Sequence, residues 1–177
     1  MNDRKVILYI AMSLDGCIAR PDGDIGWLSQ VEQPGEDYGY NEFIKSVDTV
    51  IVGRKTYEKV LSFGIPFPHA DKECFVITRH QRQPESNITF YTKGLDELIA
   101  QLKNNLGKNI FVDGGAEIVN EMLRLHLIDE FIISVIPVIL GSGIRLFNDE
   151  RPELKVQQTS VKTFFSGLVQ LHYTVVR

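Results

Sequence analysis

The residues best placed to do chemistry stand where short apolar runs give way to glycine or to a base. Asp113, Gly114 and Gly115 follow the run Ile110 to Val112. A helical pattern starts at once, with Ile118, Met122 and Leu125 on one face and Val119 and Leu123 beside them. Adjacent glycines remove Cβ atoms and open the backbone to a ligand. The first helical turn adds unpaired N–H groups and a positive dipole end. Together these suit a phosphate or diphosphate. A tight strand-to-helix turn without any ligand accounts for the same stretch, because neither the dinucleotide fingerprint of three spaced glycines nor a Walker-type lysine is present.

Two further junctions have the same character. Gly53 ends the apolar run Thr49 to Val52, and the next turn carries Arg54, Lys55 and Thr56. Cations at a helix N-terminus oppose the dipole, so they point to a bound anion; solvated surface charge is the alternative. Thr78 and Arg79, followed by His80, close a third apolar run that begins at Cys74. Three anion-suited junctions fit an extended phosphate ligand such as a dinucleotide better than any one of them does.

The elements that must position these junctions read as follows. Val6 to Met12 is a strand apolar nearly throughout. Ser13 to Ser29 is a loop rich in Asp and Gly, with Trp27, the only tryptophan, near its end. Asn41 to Val47 is a short helix, and Thr49 to Val52 a buried strand. Arg54 to Leu61 is a helix. Ser62 to Lys72, with Pro66 and Pro68, is irregular. Cys74 to Thr78 and Ile88 to Tyr91 are strands, and Leu95 to Leu102 is an amphipathic helix. The strand Ile110 to Val112 and its helix follow. Ile128 to Val138 is a long strand before the loop LGSG, Leu140 to Gly143. Leu154 to Phe164 and Leu168 to Val176 form a closing antiparallel hairpin. Strands alternating with helices imply an α/β fold with a mostly parallel central sheet, helices on both sides and a C-terminal antiparallel hairpin. Ligands of such sheets bind beyond the carboxyl ends of the strands, where Gly53, Arg79 and Gly114 all lie.

Length and composition narrow the classes. A chain of 177 residues suits one domain spanning 1–177 with a sizeable core. The net charge of -4 gives no support to a nucleic-acid binder. Cys17 and Cys74 form no CxxC pair, which argues against a zinc site or disulfide scaffold and fits a reducing compartment. The four histidines are isolated in sequence, so no metal site is expected. No secretory signal is read at the N-terminus, and Phe131 to Leu140, the longest apolar stretch, is too short to span a bilayer. A cytoplasmic protein without membrane or nucleic-acid partners is expected.

AMSLDGCIA after the first strand, VGRKTYE at Val52 to Glu58, ITR at Ile77 to Arg79 and VDGGAEIV at Val112 to Val119 resemble the dihydrofolate reductase superfamily. IDEFIISVIPVILGSGIRLF, Ile128 to Phe147, and the closing FSGLVQLHY look more like one branch of it, the reductase domain of riboflavin biosynthesis (the RibD C-terminal domain). The zinc deaminase half of the bifunctional enzymes is absent, since no H-x-E with a downstream P-C-x-x-C occurs. The resemblance implies an NADPH-dependent reductase. It implies that Gly114, Gly115, Ala116 and Glu117 pass under the diphosphate, with a cis Gly114–Gly115 bond. Gly53, Arg54, Lys55 and Thr56 would hold phosphates from the other helix, and Thr78 and Arg79 the adenosine 2′-phosphate. Ala11 and Ile18 would border the nicotinamide.

The substrate implied is a small heterocycle of pyrimidine or pteridine type, and the nearest named activity is reduction of 5-amino-6-(5-phosphoribosylamino)uracil. A true dihydrofolate reductase and a non-catalytic NADP-binding protein are the alternatives. Folate reductases hold their substrate ring with one carboxylate, whose counterpart falls near Glu36 and Asp37. Asp15 is a second candidate. Solvated or turn-capping carboxylates are the competing explanations for both. Trp27 either walls the substrate pocket or belongs to the core. The branch forms homodimers, so a homodimer is expected here.

Overall fold

The computed structural model describes residues 4–65, 67–149 and 152–177. Eight strands form one sheet in the order β5-β4-β3-β6-β1-β7-β10-β9. Its centre is β1 (Val6–Ser13), flanked by β6 (Asn109–Gly114) and β7 (Glu130–Ile136), both parallel to it. β3 (Val47–Gly53), β4 (Glu73–Ile77) and β5 (Ile88–Tyr91) extend the parallel part on one side. β10 (Val169–Val175) runs antiparallel to β7, and β9 (Val156–Thr163) pairs antiparallel with β10 at the far edge. The closing hairpin and the mostly parallel sheet are therefore as expected.

Alternation along β1 sends Val6 and Leu8 to one face and Ile7 to the other. Below the first face lie α3 (Leu95–Asn104) and α4 (Ala116–Arg124), which bury Leu98, Leu102, Val119 and Met122 against Val6, Ile51, Ile110 and Val112. Against the other face pack α1 (Tyr40–Lys45) and α2 (Arg54–Leu61), through Phe43 and Tyr57, on Ile7, Val50, Val52 and Phe111. Central strands covered on both sides read as continuous apolar runs for this reason.

The loop expected at Ser13 to Ser29 contains more order. β2 (Cys17–Ala19) pairs with β8 (Ile144–Arg145) in a small second sheet, and a 3-10 helix spans Gly26–Val31. β7 stops at Ile136 rather than Val138, immediately before Pro137, which has no N–H to offer a ladder. Of the irregular segment expected at Ser62 to Lys72, Pro66 lies outside the described residues. Among the described residues, no helix is long and apolar enough to cross a membrane.

Candidate functional site: two helix N-termini beside an aromatic cavity

The sheet order puts the three junctions side by side. β4, β3 and β6 are neighbours; Gly53 pairs with Ile77, and Val52 with Gly114. Gly53 precedes the first residue of α2 and Gly115 the first residue of α4, and neither helix start has a side-chain cap. Two sets of orphan N–H groups and two positive dipole ends thus share one edge.

The glycines have a further reason to be glycine. A Cβ on Gly53 would lie 3.0 Å from Ile118 Cγ1 and 3.5 Å from the Gly115 nitrogen. A Cβ on Gly115 would lie 2.8 Å from Thr56 Oγ1. The missing side chains therefore let the two helix starts close on each other, in addition to any clearance for a ligand. The Gly114–Gly115 bond is cis, as the resemblance implied.

Charge gathers at this edge. Lys55 Nζ donates to Glu117 Oε1 at 2.6 Å, joining the first turn of α2 to that of α4. Arg54 donates to Glu58 at 2.8 Å, and Arg82 to the same carboxylate at 3.1 Å. The Lys55 bond, with Arg79 and Arg54 nearby, holds the Glu117 carboxyl below its ordinary range. Arg79 is exposed, whereas Thr78 is buried and its hydroxyl accepts from the His80 N–H at 3.2 Å. Thr78 thus spends its hydroxyl oxygen on its own turn. The residues present fit a dinucleotide diphosphate: two uncapped helix starts, Arg54 and Lys55 on one, Arg79 from the adjoining strand end, and Ala116 and Glu117 on the other.

Next along the sheet, over β1 and β7, lies a cavity of about 410 Å³. Tyr9, Ala11, Ser134 and Ile136 line it from the strands; Leu28, Val31 and the segment Glu32 to Tyr40 supply its other walls. Gln170, 1% exposed on β10, organises the strand side. Its Nε2, with two N–H donors, lies within hydrogen-bonding distance of Tyr9 Oη at 3.1 Å, Ser134 Oγ at 3.2 Å and the Tyr38 carbonyl at 3.1 Å. The Tyr38 carbonyl can only accept, so the amide's orientation is settled. Gln170 Oε1 then faces His172 Nε2 at 2.9 Å, and that imidazole nitrogen must be the donor. Burial lowers the His172 pKa, in keeping with a neutral ring. Burial also raises the Tyr40 hydroxyl, helped by the Asp113 charge, so Tyr40 stays a donor. Asp113 in turn stands 3.4 Å from the ring of buried His69.

The two carboxylates expected to do chemistry are engaged in the fold. Asp37 accepts from the N–H groups of Gly39 and Asn41, both at 2.9 Å, and so caps the start of α1. It does line the cavity, together with Glu36 and Glu32. Asp15 accepts from Ser13 Oγ at 2.6 Å and from the Leu140 and Gly141 N–H groups at 3.1 and 2.8 Å. These bonds hold its carboxyl down at about 2 and tie the SLDG loop to LGSG. Asp15 therefore anchors this pair of loops. Trp27, 6% exposed, packs with Val31, Ile136 and Leu168 behind the wall; Leu28 and not Trp27 meets the cavity. Ala11 lines the cavity, whereas Ile18 packs with Ile10 and Met12 against the α3–α4 core.

Sequence reasoning missed Tyr9, Tyr40, Ser134, Gln170 and the Asp113–His69 pair. The signal for one of them was available: Ser134 is a polar residue within the apolar run Phe131 to Ile136.

The comparisons agree with this geometry. The RibD C-terminal domain family model matches residues 4–170. The uncharacterized Bacillus subtilis protein YwjB is 48% identical over 172 residues, covering 97% of this chain and 98% of its own. A Shewanella sp. PV-4 structure named for riboflavin biosynthesis superposes with a TM-score of 0.89 at 31% identity, over 98% of this chain and 99% of that one. The Thermotoga maritima bifunctional deaminase and 5-amino-6-(5-phosphoribosylamino)uracil reductase shares the fold at 19% identity and a TM-score of 0.72, over 98% of this chain and 57% of that one. Dihydrofolate reductase from Enterococcus faecalis, solved with NADP(H), shares it at 14% and 0.66, over 98% of this chain and 97% of that one. The chain belongs to the RibD C-terminal domain family, with a dihydrofolate reductase-like fold.

Proposed function

We propose that this protein is an NADPH-dependent reductase of a small pyrimidine- or pteridine-type heterocycle, acting as one reductase domain over 1–177. The observation that carries the reading is contiguity. The cationic edge at Gly53, Arg79 and Gly115 and the aromatic cavity over β1 and β7 adjoin along one sheet edge, and Ala11 on β1 belongs to the cavity. NADPH, when bound, supplies hydride. The chain's own residues would hold and orient: the helix starts with Lys55 and Thr56 the diphosphate, Arg79 with Arg54 the 2′-phosphate, and Ala11 the nicotinamide, while Ile18 packs on the opposite face of the sheet. Tyr40 lines the cavity with a hydroxyl that burial and the Asp113 charge keep protonated, so it would donate a hydrogen bond to the bound ring rather than give up its proton. A true dihydrofolate reductase is the second reading; the LGSG loop, which Asp15 ties to SLDG, looks more like the riboflavin branch.

The reading includes a homodimer formed through β9, the sheet's exposed edge strand, where Val156 and Val161 stay 40% and 43% exposed. It also places the protein in the cytoplasm, where the free thiols of Cys17 and Cys74 are stable. The test is NADPH oxidation followed at 340 nm with a panel of pyrimidines and pteridines. Turnover on at least one supports the reading; saturable NADPH binding with no turnover on any would favour the non-catalytic binder.

A further inference from the structure

The cavity's charge differs from that of the edge beside it. Its lining includes three carboxylates, Glu32, Glu36 and Asp37, and among the described lining residues no lysine, arginine or histidine. The cations of this end of the sheet, Arg54, Lys55 and Arg79, stand instead at the ends of β3 and β4. Lys162 on β9 approaches from the far side, its Nζ 3.8 Å from where a Gly39 Cβ would be, but it is not part of the lining.

Two of these acids are held in place. Both oxygens of Asp37 are fixed by the Gly39 and Asn41 N–H groups, and Glu36 Oε1 accepts from the Tyr38 N–H at 2.7 Å. The rest of the cavity suits a flat ring. Tyr9, Tyr38 and Tyr40 supply aromatic surface, and Leu28, Val31 and Ile136 apolar contact. On the strand side, Tyr9 Oη and Ser134 Oγ are held by Gln170.

The geometry points to an amino-bearing aromatic heterocycle without a phosphate as the substrate class of this cavity. A phosphate monoester carries nearly two negative charges, and three carboxylates at the mouth repel it through solvent of moderate screening. An amino-substituted ring gains instead, because its N–H groups donate to the same carboxylates. This rests on the reductase reading above, and it separates this chain from reductases whose pyrimidine bears a phosphoribosyl group.

The experiment uses the full chain with saturating NADPH. The probes are 5-amino-6-ribitylaminouracil and its 5′-phosphate, titrated calorimetrically at low and high ionic strength. The unphosphorylated probe is expected to bind roughly tenfold more tightly at low salt, with the ratio shrinking as salt rises. In the double variant Glu32→Gln, Glu36→Gln, two exposed positions, the phosphorylated probe should gain several-fold and the preference should narrow. Tighter binding of the phosphorylated probe by the wild-type protein would overturn the assignment. So would a preference unchanged in the double variant, or no binding of either probe. NADPH binding in the same samples, measured before either probe is added, judges the reductase reading separately.

Discussion

Lys55 Nζ and Glu117 Oε1 meet at 2.6 Å, and this pair bridges the first turns of two helices from opposite faces of the sheet. Glu117 thus occupies, among Lys55, Arg54 and Arg79, ground that an anionic ligand would use. Both side chains are about three-quarters exposed, 75% and 73%, so the pair adds little to stability. Its effect is on binding. Glu117→Gln should tighten NADPH binding roughly two- to fivefold at low salt, and the gain should fade at high salt. Fluorescence titration at two ionic strengths checks this; weaker binding would show that Glu117 contacts the ligand favourably.

The contact between Gly115 and Thr56 separates packing from ligand clearance. Gly115→Ala should destabilise the fold, because its Cβ would lie 2.8 Å from Thr56 Oγ1. Adding Thr56→Ala should recover most of that loss. If the cofactor crosses Gly115, the rescued double variant should still bind NADPH at least tenfold more weakly than Thr56→Ala alone. Thermal melts and NADPH titrations of the three variants decide it; normal NADPH binding by the rescued protein would move the diphosphate elsewhere.

Asp15 gives a pH prediction. Its carboxyl lies at about 2 in the folded protein, below the ordinary 3.8, chiefly through the Ser13 hydroxyl and the Leu140 N–H. A depressed folded pKa contributes stability that is complete above the unfolded value and is lost as pH falls from about 4 toward 2. Asp15→Asn should lower the Tm by roughly 2–6 °C at pH 7, and the gap from wild type should narrow by pH 3. A gap independent of pH would mean that the carboxylate's charge is not what anchors LGSG.

Gln170→Leu removes the side chain that joins Tyr9, Ser134, Tyr38 and His172. Leaving such buried groups unpaired should cost about 2–4 kcal/mol of stability. Urea unfolding measures this directly, and a loss under 1 kcal/mol would mean that water replaces the amide.

Much of the fold could be read from the sequence because its central strands are local and apolar on both faces. The ranges of α2 and β5 match their sequence readings, α2 standing between Gly53 and Ser62 and β5 between Asn87 and Thr92. β2 and β8 could not be read. They are 3 and 2 residues long and pair across more than a hundred positions, so no local period marks them. The edge at Gly53, Arg79 and Gly115 was legible because each of its parts is a strand end followed by a distinctive residue. The cavity was not, since Tyr9, Ser134 and Gln170 come together only through the order β1-β7-β10. Asp15 and Asp37 drew attention as acids, yet each lies within reach of backbone N–H groups that a turn always offers.

On the proposed reading, Arg54 and Arg79 would make this edge a site for NADPH rather than NADH. Arg54 already donates one N–H to Glu58, and Arg79 is exposed, so each contact is partly screened. The measurement is a set of four titrations, wild type and Arg54→Ala, Arg79→Ala, each with NADPH and with NADH at matched ionic strength. The account predicts that the double variant loses roughly ten- to thousandfold in NADPH affinity, on one to two charge-assisted contacts of about 1.5–3 kcal/mol. NADH affinity should fall far less, because the two helix starts remain. Equal losses for both cofactors, or no loss for either, would contradict it.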